Sequence, residues 1–426
     1  MRILVAGASG FIGGHVVRAL LAAGHEVVAG VRRPQDFPRR DRCSALALDF
    51  SRPSEPGHGL PHLENIDAVI NSVGILAEDR HNRFEAVHEH GPIALFEACR
   101  HAGIKRVVQI SALGADETAF SRYHLSKQAA DDFLAGTELD WVILQPSWAY
   151  GPGGKSLGLL AALAALPVMP VLGDGCQRLQ PVAVEDVVAV VLRLLEPGAP
   201  SRVKLAVVGP RPMALAEILA VLRHWQGRAS ACSLSIPFPL ALWLAENFGR
   251  WVATPFNGDT LRMLERGNTG DPAALAECLG RPPQDLSAVL AAGAATPAER
   301  RYAALRFLLP VLRWALGLLW LGSGLVSALL FPQEESYALL AGVGITGGLA
   351  PLALYGAAAL DIALGIALLW RWRVPWVGAA QLGLMALYSV VIGIYLPEFL
   401  WHPFAPLLKN LPLMVATLIV IAAEDV

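Results

Sequence analysis

The chain has 426 residues, of which 54% are hydrophobic and 16% charged, with a formal net charge of −2. That length exceeds one ordinary domain and that apolar excess exceeds a water-facing surface, while the near-neutral charge with scattered arginines excludes the basic field that nucleic acid requires. Cys43, Cys99, Cys176, Cys232 and Cys278 are far apart, odd in number and never spaced C-x-x-C, which reads as buried, reduced thiols rather than a metal site or disulfide framework.

The opening Met-Arg-Ile-Leu-Val-Ala-Gly is too short an apolar run for a signal peptide, so the N-terminal domain is expected to stay in the cytoplasm. Strand-length apolar runs then recur at Ile3 to Ala6, Glu26 to Val31, Ala45 to Leu48, Ala68 to Asn71, Arg106 to Ile110 and Trp141 to Leu144. Between them lie helical patterns over Gly13 to Ala23, Phe84 to Ala102 and Ser126 to Leu134. This alternation predicts an α/β fold with a doubly wound parallel sheet of the Rossmann type over residues 1–150. Residues 151–300, looser and punctuated by Pro and Gly, are expected to form a small substrate or lid lobe and a linker.

Residues 301–426 hold the apolar excess. Four segments, Phe307 to Phe331, Pro351 to Trp370, Val374 to Leu396 and Pro406 to Ala423, are each of a length to cross a hydrocarbon core, with a turn expected at Gly342 to Pro351. Arg300, Arg301, Arg306 and Arg313 precede or open the first span, Arg371 and Arg373 fill the second loop, and Glu334 and Glu335 occupy the first loop. The positive-inside rule then places both termini in the cytoplasm of a multi-pass bacterial inner-membrane protein. Asp361, near the middle of the second span, must face the bundle interior, where it serves either a quinone or lipid head group or helix packing alone.

Gly7-Ala8-Ser9-Gly10-Phe11-Ile12-Gly13 follows the first strand and opens a helix. In that context the glycines allow a tight turn, close approach to a pyrophosphate and helix-to-strand packing, with the helix N-terminus facing the phosphates. Arg32 and Arg33 end the second strand, where an acid would hold the ribose of NAD, so NADP(H) is expected over NAD(H). Asp49 is placed near adenine, and Asn71 with Val73 and Gly74 beside the nicotinamide ribose. Ser111 ends the fifth strand, and Tyr123 with Lys127 forms a Tyr-x-x-x-Lys on one helical face. There the lysine charge would lower the phenol pKa and the serine would bind a substrate carbonyl. His88-x-His90 and Trp401-His402 lack third and fourth ligands, so no metal is expected.

Together with Pro146-x-x-x-Tyr150-Gly151-Pro152 and Gln180-Pro181-Val182-x-Val184-x-Asp186, these motifs resemble the extended and atypical short-chain dehydrogenase/reductases over roughly residues 1 to 290. Thr254-Pro255 through Leu264 and Gly267-Asn268 is most similar to the group around the NADPH-binding accessory subunit of respiratory complex I. Tyr355-Gly356 to Asp361, Tyr388 and His402-Pro403-Phe404 to Lys409-Asn410 resemble the DoxX-like family. The resemblance implies Ser111, Tyr123 and Lys127 as catalytic residues and adds Tyr123, Lys127 and Pro146 to the cofactor set. Gln145 stands where many extended members carry Arg, which weakens a sugar-nucleotide reading. Two functions are expected: a membrane-anchored NAD(P)H-dependent oxidoreductase acting on a hydrophobic carbonyl or quinone-like substrate, or a non-catalytic NADP(H)-binding scaffold or assembly factor for a membrane respiratory complex.

Overall fold

A computed structural model of the protein describes all residues except 52–62, 253–257, 404 and 425–426. Thr254, Pro255 and Phe404 of the resemblance lie outside the described residues. The chain divides into two compact units, Met1–Ala303 and Ala304–Val426.

In the first unit β1 (Arg2–Ala6), β2 (Glu26–Val31), β3 (Cys43–Ala47), β4 (Ala68–Asn71), β5 (Arg106–Ile110) and β6 (Asp140–Pro146) join the strand Val203–Val207 in one parallel sheet. Its order, from the Val203–Val207 edge, is β6, β5, β4, β1, β2, β3. The direction of winding reverses between β1 and β4, and ligands bind such sheets at that switch point, beyond the carboxyl ends of the strands. The alternation along β1 explains the two faces. Ile3 and Val5 pack with Val16, Val17 and Leu20 of α1 (Phe11–Ala22). Leu4 and Ala6 pack on the other side with Leu95, Phe96 and Cys99 of α2 (Gly91–His101) and Leu134 of α3 (Arg122–Ala135). A strand covered on both faces reads as an unbroken apolar run, which is why β1 lacks polar alternation. A third core, around Leu160, Met169, Ile218, Leu222 and Leu286, belongs to the smaller lobe after β6.

The second unit is helical, and among its described residues three helices are long and apolar enough to cross a membrane: Leu308–Leu330, Leu349–Leu369 and Val374–Tyr395. Leu318, Leu329, Leu352, Leu387, Val390 and Ile394 stay exposed on them, as side chains meeting lipid rather than water would. The expected fourth span is shorter than its apolar run. Its helix covers Asn410–Glu424, 15 residues, or about 22 Å at ~1.5 Å per residue. Pro412 accounts for this, because its ring is tolerated in a first turn but blocks continuation of the helix toward Pro406. The first loop contains an extra helix, Gln333–Gly342, before a turn with Gly344 and Gly347 at positive φ.

The first and second spans cross tightly. A Cβ at Gly324 would lie 2.5 Å from the Ala358 carbonyl oxygen, and one at Gly365 would lie 2.6 Å from the Leu321 nitrogen. At one end of the helices Arg371 pairs with Glu424 at 2.6 Å, and Arg313 approaches the same carboxylate at 4.0 Å.

Candidate nucleotide and proton-transfer site

The glycine turn is built for backbone contact. Gly7 has φ +79°, and its N–H donates to the Gly30 carbonyl at 3.0 Å. A Cβ at Gly13 would stand 2.2 Å from the Gly7 carbonyl oxygen and 2.6 Å from Ser72 Oγ, so only glycine allows α1 to approach β1 and β4 this closely. Gly10 starts α1 with no side-chain cap. The first N–H groups of a 12-residue helix therefore remain for an anion, and exposed Ser9 and Gly10 border them. These residues fit a dinucleotide pyrophosphate. Phe11 and Ile12 occupy the first turn of α1, half-buried.

Arg32 and Arg33 are exposed just past β2. Arg32 Nη1 donates to Asn82 Oδ1 at 3.2 Å, and Arg33 lies 3.9 Å from Asp36, so both guanidinium groups retain donors for a further acceptor. Asp49 follows β3 and accepts from the N–H and hydroxyl of Ser51 at 3.0 and 2.6 Å. Pro146 closes β6, and its carbonyl accepts from the Leu113 N–H at 3.0 Å.

The remaining site residues come together around Lys127. Its Nζ donates to the carbonyls of Val73 at 3.1 Å and Ile110 at 3.2 Å, leaving one donor of three. A Cβ at Gly74 would lie 3.3 Å from Nζ. Asn71, fully buried, accepts from the Val73 N–H at 3.2 Å and donates to Gln109 at 2.8 Å, which fixes the turn after β4. Tyr123, one helical turn before Lys127, packs its ring edge-on against His88 at 5.2 Å between centroids.

Two features bear on the chemistry. Ser111 donates its hydroxyl to buried Asp131 rather than presenting it to a ligand. Burial pushes the Tyr123 phenol up to about 12, with the Asp131 charge adding to it, so the expected lowering by Lys127 does not prevail. Burial also brings the Lys127 ammonium down to about 8, against the attraction of Asp131. Asp131 itself is raised to about 6 by burial, opposed by Ser111 and Lys127. A phenol held protonated is a proton donor, the role a carbonyl reduction asks of it.

Asp131 was legible as the next residue of the Tyr123, Lys127 series at four-residue spacing, but its contact with Ser111 was not. His88 was expected, once a metal was set aside, to be a surface or interfacial histidine. A π-helical turn, Glu85–His90, instead places it inside the protein. The Ile75 N–H donates to His88 Nε2 at 2.9 Å, so the ring proton is assigned to Nδ1, which donates to Ser126 Oγ at 3.0 Å. That hydroxyl donates in turn to the Tyr123 carbonyl at 2.9 Å. Burial, and secondarily Lys127, lowers the His88 pKa to about 2.

Residues 7–163 match the family profile of NAD(P)H-binding domains, and residues 317–418 that of the DoxX-like family. The ceramide reductase of Caulobacter vibrioides is 32% identical over 194 residues, 44% of this chain and 58% of that one. The mitochondrial NADH dehydrogenase (ubiquinone) 1 alpha subcomplex subunit 9 of Arabidopsis thaliana is 28% identical over 249 residues, 57% of this chain and 61% of that one. The chain thus spans under two thirds of both relatives. The photosystem II assembly factor Ycf39 of Synechocystis is 28% identical over 300 residues, 67% of this chain and 87% of that one. MoeE5 in complex with UDP-glucuronic acid and NAD shares the fold at a TM-score of 0.53 and 24% identity, over 69% of this chain and 97% of that chain. The chain thus carries an NAD(P)H-binding domain whose relatives are of the extended short-chain dehydrogenase/reductase type. It is a membrane protein that joins this domain to a C-terminal DoxX-like domain.

Proposed function

We propose that the protein is a membrane-anchored, NADP(H)-preferring reductase of a hydrophobic carbonyl or quinone-like compound, with Ser111, Tyr123 and Lys127 at its centre. The observation carrying this reading is the buried Lys127 ammonium, held by the Val73 and Ile110 carbonyls one helical turn from Tyr123. When bound, the nicotinamide supplies hydride. The chain's own part is to seat the phosphates on Gly7, Ser9, Gly10 and Gly13, hold the ribose with the remaining Lys127 donor, and pass the Tyr123 hydroxyl proton to the substrate oxygen. Ser111, bonded to Asp131, then braces β5 against α3. A relative named ceramide reductase supports a lipid substrate. We further assign residues 1–150 to cofactor binding, 151–300 to the substrate lobe and 301–426 to anchorage in a bacterial inner membrane, with Arg32 and Arg33 favouring the 2′-phosphate.

The second reading, a cofactor-holding scaffold for membrane complexes, is favoured by the Ser111–Asp131 bond, which takes the serine out of substrate contact. Relatives named as a respiratory subunit and an assembly factor support it. The test uses NADPH oxidation by the full-length protein in lipid with long-chain carbonyl compounds and quinones, alongside calorimetry of NADPH and NADH. Tyr123→Phe is expected to keep NADPH affinity and lose turnover by about 10² to 10⁴. If Tyr123→Phe retains full cellular activity while Gly10→Val abolishes it, the scaffold reading replaces the enzyme.

A further inference from the structure

The DoxX-like unit contains polar side chains that its own packing leaves unanswered. Gln381 of the third span is completely buried, and among the described residues neither its Nε2 nor its Oε1 has a hydrogen-bond partner. Asp361 of the second span is 8% exposed; its Oδ2 accepts from Ser323 Oγ of the first span at 3.2 Å, and its Oδ1 has no partner. Arg313 Nε, beside Glu424 at the end of the bundle, also lacks a partner among the described residues, whereas groups nearer Gln381 are satisfied. Thr417 donates to the Leu413 carbonyl at 2.9 Å, and Asn410 to Ser389 at 2.8 Å.

Asp361 and Gln381 share a level. Asp361 stands eight residues before Leu369, and Gln381 seven after Val374, on helices joined by a short turn. At ~1.5 Å per residue both lie about 10 to 12 Å from that turn. Both also border one apolar cluster: Leu364 and Leu368 follow Asp361 on its helix, Val377 and Met385 flank Gln381, and all four belong to that cluster with Leu316 and Trp320. An unpaired amide and carboxyl oxygen within hydrocarbon are costly, and polar residues at such depth mark ligand paths.

We propose that Ser323, Asp361 and Gln381 form a binding site for the head of an uncharged lipid that carries both a hydroxyl and a carbonyl. Gln381 offers one donor and one acceptor side by side, which pairs with a head bearing both. Asp361 Oδ1 accepts from the lipid hydroxyl when ionised and donates to its carbonyl when protonated, so the match survives either state. The remaining exposure of Asp361 gives the site its opening, and the apolar cluster receives the start of the acyl chain. This site belongs to the DoxX-like unit alone and stands whether or not the first unit is a reductase.

The experiment is native mass spectrometry of the full-length protein in mild detergent, titrated with 1,2-dioctanoylglycerol or with methyl decanoate, which lacks the hydroxyl. One dioctanoylglycerol per chain is expected, with methyl decanoate at least tenfold weaker. Gln381→Leu removes both polar atoms at similar volume and should cost tenfold or more in affinity without lowering thermal stability. Asp361→Asn should weaken binding severalfold, and Lys127→Met should leave it unchanged. Equal binding of the two lipids, unchanged binding by Gln381→Leu, or no adduct at all would overturn the site. A marked loss of stability in Gln381→Leu would overturn it too, by showing that the side chain is satisfied within the bundle.

Discussion

His88 is the residue whose role in the fold can be read most directly from its titration. Its pKa in the folded protein, about 2, lies below its ordinary value of 6.5, because the buried ring must stay neutral to accept from Ile75 and donate to Ser126. A base with a depressed folded pKa contributes its full stability above pH 6.5 and loses it as the pH falls below that value. Asp131 runs the other way: its carboxyl is raised from 3.8 to about 6, which favours the folded state as the pH drops through that range. Subtracting a His88→Gln variant, which keeps an acceptor for Ile75, removes the Asp131 contribution from the comparison. Denaturant unfolding at pH 7 and pH 5 should then show wild type losing about 2 kcal/mol more than the variant. An equal loss in both would mean that the ring does not stay neutral. Tyr123 and Lys127 were singled out by their spacing together with Ser111 and the glycine motif, whereas His88 was not. A π turn shifts the helical register, and no periodicity in the sequence announces it.

At the scale of elements, β1, β2, β4, β5 and β6 were readable because strands buried on both faces leave unbroken apolar runs. β3 starts at Cys43 rather than Ala45: an edge strand half open to solvent has no such signature. The last helix starts later than its apolar run for a related reason. Hydropathy counts Pro406 to Ala423 as one run, but the position of Pro412 decides where the helix can begin. The glycines of the first two spans give a sharper prediction. Gly324→Val forces a side chain against the Ala358 backbone at 2.5 Å, while a Cβ at Gly322 meets nothing within 4 Å. Gly324→Val should therefore cost about 1 to 3 kcal/mol in detergent unfolding, as overpacked cores do. Gly322→Ala should be neutral or slightly stabilising, since alanine favours helix. Equal effects at the two positions would mean that these helices do not cross where described.

For the whole molecule, the ion pairs of Arg371 and Arg313 with Glu424 gather the start of the first span, the turn after the second and the end of the last helix at one end of the second unit. With basic residues concentrated there, that end is expected to face the cytoplasm. A periplasm-active reporter inserted at Gln333 should be active, and one fused after the last helix silent; the reverse pattern would invert the topology. The close fit of Gly13 against Gly7 and Ser72 bears on how such a protein drifts over generations. Any substitution at Gly13 adds a Cβ where none fits, so a lineage cannot lose its nucleotide cradle there without also damaging the contact of α1 with the sheet. Tyr123→Phe, by contrast, keeps the ring and removes one hydroxyl, so it adds no atom to the packing. With Tyr123 in its proposed role, cofactor binding is inherited together with foldability, whereas chemistry would lapse in a single step, and descendants that only hold a dinucleotide would lie one substitution away from those that use it.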